Sequence, residues 1–167
     1  TPIQFHAVEN MAGCDMKALN LSQEALEELC VKQLKNGQAI WFACDAGAFG
    51  ARKEGIWDPA SVQYEALLGG FSTAMPKGKR LEYSSSSATH AMLLTGVHFD
   101  KEGKPDRWKI ENSWGKDVGD KGYFVCSEAY FKEFVYEAVI DRRHFSPAQL
   151  AMLEKAPVVI NAWDEDY

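Results

Sequence analysis

Apolar and polar positions alternate along two neighbouring stretches, 90–99 and 107–112, and the alternation predicts two strands. In the first, Ala91, Leu93, Val97 and Phe99 fall on one face and His90, Met92 and Leu94 on the other. In the second, Trp108, Ile110 and Asn112 face away from Arg107, Lys109 and Glu111. Asp100, Gly103, Pro105 and Asp106 lie between them and form a turn, so the pair reads as a hairpin. Facing residues in an antiparallel pair are numbered about the turn. A centre at Lys101 puts Asn112 opposite His90 on the same face.

Around this hairpin the pattern predicts a short strand over 2–8, then an amphipathic helix over 22–36. Leu26, Leu29, Cys30 and Leu34 recur at helical spacing there, with glutamates early, lysines late and Asn36-Gly37 as the stop. The apolar run 39–44 reads as a buried strand and 45–55, with three glycines, as a loop. Asp58-Pro59 opens a short helix that Gly69-Gly70 closes, 71–87 is mixed, and Ser84 to Ser87 form a flexible or extended approach to His90. Further strands are expected near 123–126 and 135–140. A helical turn capped by Ser127 and a last short helix after Ser146-Pro147 complete the set. Strands paired by hairpins with a few helices beside them give an α+β class.

At 167 residues and 46% hydrophobic, the chain can bury one substantial core, so residues 1–167 read as a single domain. A net charge of −6, with Lys77-Gly78-Lys79-Arg80 as the longest basic block, speaks against nucleic acid as a partner. No apolar run has membrane-spanning length and no signal peptide is visible. Cys14, Cys30, Cys44 and Cys126 lack the spacing of a zinc site, so no metal is expected; four cysteines are compatible with two disulfides, which a chain of this length does not need, and reduced thiols in a cytosolic protein are expected.

The candidate chemistry begins with His90 and Asn112. An amide oxygen opposite an imidazole can accept one ring N–H and hold one tautomer, leaving the other nitrogen to take a proton from a nucleophile. A lone strand histidine is more often structural, but the residues after Asn112 change the picture. Asn112-Ser113-Trp114-Gly115, then Gly119 and Gly122-Tyr123, resembles the papain-like cysteine peptidases. The stretch 38–45, Thr89-His90-Ala91-Met92, Glu111, Asp141-Arg142-Arg143-His144 and Ala162-Trp163-Asp164 resemble the bleomycin hydrolase and aminopeptidase C branch of that family, in order along nearly the whole chain. The resemblance implies the carboxyl-terminal, strand-rich half of the papain-like fold, an antiparallel sheet or partial barrel with flanking helices. It implies catalytic His90 and Asn112 in a Cys-His-Asn triad, with Trp114 covering their hydrogen bond, acting on a peptide or amide substrate without metal or cofactor. It also implies a homo-hexamer whose active sites face an inner chamber.

The nucleophile is a separate question. Cys44 lies upstream of His90 but far closer than the roughly 130–150 residues of the papain-like pattern. It ends a strand, not a helix N-terminus, and precedes Asp45, whose charge raises a thiol pKa. Cys14 and Cys126 also lack the context. The thiol is therefore expected from an amino-terminal half absent from this chain, which starts at Thr1 and not at Met. Two alternatives stand beside this reading: a non-catalytic peptide-binding or assembly domain that has lost the nucleophile, and Cys44 as an unconventional nucleophile within hydrogen-bond reach of His90. His6, His98 and His144 read as structural. The acidic tail 161–167 departs from the branch's Pro-Met-Gly type ending, so an arm acting in the active-site cleft is not carried over.

Overall fold

The computed structural model describes residues 1–5 and 16–160. The predicted hairpin is its centre: β1 (His90–Phe99) pairs antiparallel with β2 (Pro105–Glu111), and Asp100 closes the turn by accepting the Glu102 and Lys104 N–H groups on Oδ1. Its register differs from the expectation. Leu93 faces Glu111 and Leu94 faces Ile110, but Gly96 faces Lys109, so Thr95 is an extra residue on one strand. Phe99 faces Pro105, so the pairing is centred on Glu102 from the turn onward; a second extra residue, Asp106, and Thr95 offset each other, and Asn112 comes just after the strand and not within it.

Five more strands extend this pair. Ile40–Cys44 runs antiparallel beside His90–Phe99 and carries Val135–Ala138 on its outer edge. On the other side, Tyr123–Ser127 pairs with Pro105–Glu111, and the two-residue strands Ile56–Trp57 and Gly50–Ala51 follow. The result is a seven-stranded sheet that is antiparallel except where Ile56–Trp57 meets Tyr123–Ser127. A separate three-stranded sheet joins Pro2–Phe5 to Met16–Leu19 and, in parallel, to Val158–Ile160.

Two helices cover the large sheet. The first, α1 (Gln23–Lys35), starts where Ser22 Oγ accepts the Ala25 N–H and turns Leu29, Cys30 and Gln33 inward. The second, α2 (Glu128–Phe134), is capped by Ser127 as expected and buries Tyr130, Phe131 and Phe134. Against them the sheet places Ile40, Phe42, Cys44, Met92, Leu94, Trp108, Ile110, Phe124 and Cys126. Trp108 stacks on Phe131 at 4.1 Å between ring centroids, and its indole N–H donates to Glu128 Oε2 at 2.6 Å. The helix after Ser146 also forms, as Pro147–Leu153, with a full capping box to Gln149. The α+β class with a strand-rich sheet and flanking helices is the one observed.

Other expectations need correction. The helix from Asp58 to Gly69 is broken: Pro59–Ser61 is a single 3-10 turn, Val62 is extended, and only Tyr64–Leu67 is α-helical. The stretch read as mixed contains a helix, Lys77–Glu82, and the loop over 45–55 contains Gly50–Ala51. Met16–Leu19 and Val158–Ile160 were not anticipated, because strands so short carry too few positions for a period to show. The rest of the strand expected over 2–8, His6, Cys14 and the tail 161–167 lie outside the described residues.

Candidate active site

The core-facing row of β1 runs Leu94, Met92, His90, and at His90 it reaches the rim. Leu94 and Met92 are buried, whereas His90 is half-buried at the first position of the strand. Thr89 anchors it from behind, donating its N–H to Cys44 O at 3.0 Å and accepting the Ala46 N–H on Oγ1 at 3.1 Å. Asn112 is held by its own N–H, which donates to Gly122 O at 3.1 Å.

These anchors bring the two side chains together, with His90 Nε2 2.9 Å from Asn112 Oδ1. The same oxygen accepts the Ser113 N–H at 2.8 Å. A backbone N–H needs an acceptor, so this contact fixes which end of the amide is oxygen, and the facing Nε2 must then carry its hydrogen. In the neutral ring Nδ1 is left with a lone pair, available to accept a proton. Asn112 Nδ2 is buried with no hydrogen-bond partner among the described residues.

Trp114 packs on His90 with ring centroids 4.9 Å apart and planes 19° from parallel. Behind it stand Trp57 at 5.9 Å and Phe124 at 5.6 Å. All three residues singled out from the sequence, His90, Asn112 and Trp114, thus form one cluster.

Cys44 is closer to this cluster than its sequence position suggested, since it lies directly across from His90 in the antiparallel pair. It is fully buried and makes no hydrogen bond to His90. Burial, assisted by the charge of Asp45, pushes its thiol up to about 11, so the sulfur keeps its proton at neutral pH. The Cys126 thiol, inside the same core, is pushed up by burial as well. Neither is set up as a nucleophile.

Two histidines read as structural have partners that the sequence did not reveal. His98 Nδ1 is 2.5 Å from Asp106 Oδ1, and the buried His144 meets Gln38 Oε1 through Nε2 at 2.7 Å. The serine run before His90 is also less free than expected. Ser86 is buried, donates to Asp45 Oδ2 at 2.7 Å and accepts from Tyr136 OH at 2.7 Å, tying the approach to His90 onto two other segments. Nothing in the run distinguishes Ser86 from its three neighbours, because its partners lie far away in sequence. Among the described residues no group of His, Cys, Asp and Glu is placed to hold a metal ion, and no helix is long and apolar enough to cross a membrane.

Residues 3–165 match the model of the Peptidase C1-like family. The chain is 38% identical over 152 residues to aminopeptidase C of Listeria monocytogenes, covering 91% of this chain and 34% of the relative. It is 40% identical over 169 residues to bleomycin hydrolase of Gallus gallus, covering 96% and 37%. The crystal structure of PepW from Lactobacillus rhamnosis HN001 superposes with a TM-score of 0.86 at 37% identity, over 98% of this chain and 40% of that one. The chain spans about a third of the length of the curated relatives it matches.

Proposed function

The chain belongs to the Peptidase C1-like family, and from that premise we propose that it supplies the histidine and asparagine of a cysteine-type aminopeptidase that hydrolyses peptide or amide bonds. The observation that carries the reading is the His90 Nε2 to Asn112 Oδ1 contact of 2.9 Å under the stacked Trp114. With Nε2–H engaged, His90 Nδ1 takes the proton of an incoming thiol, and the thiolate attacks the substrate carbonyl carbon. The imidazolium then returns that proton to the leaving amine nitrogen as the C–N bond breaks. An acyl-enzyme remains, which water hydrolyses with His90 again as base. Asn112 keeps the ring in the productive tautomer, and Trp114 keeps water off their hydrogen bond.

The thiol and the donor to the oxyanion come from the amino-terminal half of the same enzyme, outside these 167 residues. The buried Cys44 and Cys126 thiols support looking elsewhere for the nucleophile. The unpartnered Asn112 Nδ2 is the kind of donor that a carbonyl from another segment would satisfy. Exposed Leu67, Leu68 and Phe71 favour a docked half over a self-standing binding module. By the same resemblance the assembled enzyme is a homo-hexamer, and its reduced thiols fit a cytoplasmic protein. The net charge of −6 leaves nucleic acid without electrostatic support in this part.

The test is hydrolysis of an aminoacyl fluorogenic amide, by the chain alone and by the chain combined with the segments of an aminopeptidase C relative that it does not match. No turnover is expected alone. Turnover is expected in combination, falling about 100-fold or more with His90→Ala. Hydrolysis by the chain alone that Cys44→Ala abolishes would overturn the proposal and make Cys44 the nucleophile.

A further inference from the structure

Trp114 is the least anchored member of the His90 cluster. Among the described residues its indole N–H donates no hydrogen bond, so only ring contacts hold it over His90. A further group lies against it: the Arg52 guanidinium carbon is 4.4 Å from the Trp114 ring centroid. Arg52 makes no ion pair among the described residues, so no carboxylate there competes with the indole for it.

The backbone around Arg52 is docked onto the loop that carries Trp114. Arg52 begins the turn after the strand Gly50–Ala51, and that turn is closed by Gly55 N–H donating to Ala51 O at 2.9 Å. Gly119 N–H donates to Lys53 O at 3.2 Å, and Val125 N–H to Gly55 O at 2.8 Å. Two glycines permit the approach. A Cβ on Gly55 (φ +73°) would sit 2.6 Å from Gly119 Cα, and Gly119 (φ +59°) has no room for one beside Tyr123 O. The base of Arg52 is therefore fixed relative to the loop over 114–123, and its side chain has a short, defined reach to the indole.

We infer that Arg52 is a positioning residue whose guanidinium clamps Trp114 over the His90–Asn112 hydrogen bond. It acts through the cation–π attraction between its charge and the indole face, and so limits how often the indole lifts and admits water. This rests on the role proposed for Trp114 above and extends it to the residue whose guanidinium lies against the indole.

The experiment follows the His90 Nε2 proton of the whole 167-residue chain by ¹⁵N-resolved NMR and measures its exchange with water, with a thermal melt of each variant alongside. Arg52→Ala is expected to speed exchange about two- to fivefold, the change in open population that a surface cation–π contact sustains. Arg52→Lys keeps a cation and restores exchange toward the wild-type rate, whereas Arg52→Leu keeps bulk without charge and does not. Unchanged exchange in Arg52→Ala, or Arg52→Lys no better than Arg52→Leu, would overturn the inference. The readout needs no turnover. A clamp that holds while no hydrolysis is ever assembled would sink the peptidase reading alone, and hydrolysis with unchanged exchange would sink the clamp alone.

Discussion

On the helix-covered face of the seven-stranded sheet Leu94, Trp108 and Ile110 are fully buried, as is Phe131 of α2, whereas Leu67, Leu68, Phe71 and Tyr83 are exposed by 76, 60, 69 and 66%. Both regions carry the pattern that ordinarily marks a core. In the sheet, alternation along β1 and β2 puts Met92, Leu94, Trp108 and Ile110 against α1 and α2. In the other region Tyr64, Leu67, Leu68 and Phe71 recur at helical spacing, yet nothing among the described residues covers Leu67, Leu68 or Phe71. Periodicity shows that a face is apolar. What covers that face depends on chain elsewhere.

The largest effect is expected at Trp108, on the covered face of the sheet. Trp108→Ala removes a fully buried ring stacked on Phe131 and the donor to Glu128, and is expected to cost about 3–5 kcal/mol in guanidinium unfolding. A loss under about 1 kcal/mol would mean that the sheet is not the stabilising unit.

A smaller effect lies in the pH dependence at that contact. Burial, with Glu27 nearby, raises the Glu128 carboxyl from its ordinary 4.5 to about 7, against the opposing pull of Trp108 and Lys132. The folded state therefore holds this proton more tightly than the unfolded state. Its contribution is fully present below pH 4.5 and is lost as pH rises to about 7. Glu128→Gln stays neutral, so its melting temperature relative to wild type should climb across that window. A constant difference from pH 4.5 to 7 would show that Glu128 does not titrate there.

The smallest change is expected on the uncovered face. Leu67→Ser or Phe71→Ser in this chain should shift stability by no more than about 0.5 kcal/mol, checked in the same unfolding series as Trp108→Ala. A loss comparable to a core substitution would mean that these side chains are packed after all.

Much of the sheet was legible because its strands are long enough to show a period and its helices begin at Ser22, Ser127 and Ser146, where the cap is local in sequence. The meeting of His90 and Asn112 was legible for the same reason, as a hairpin brings together residues numbered about its turn. The bulge at Thr95 was not: it reverses the alternation beyond it, so Val97, expected on the face of Leu93, packs on the same core as Met92 and Leu94. Arg52 and Ser86 were missed because their partners are set by tertiary docking, Arg52 through a glycine contact between distant loops and Ser86 through Asp45 and Tyr136. The break at Val62 overrode a cap and proline that fit a continuous helix.

At the centre of the site, Asn112 holds the His90 ring with hydrogen on Nε2 and a free lone pair on Nδ1. The imidazole ¹⁵N shifts of His90, recorded on the neutral ring in this chain and in Asn112→Ala, test it directly. In the wild type Nε2 should show a directly bonded proton and Nδ1 the shift of an unprotonated nitrogen, with the two forms mixing in Asn112→Ala. Hydrogen on Nδ1 in the wild type, or the same tautomer with and without the Asn112 amide, would contradict the account.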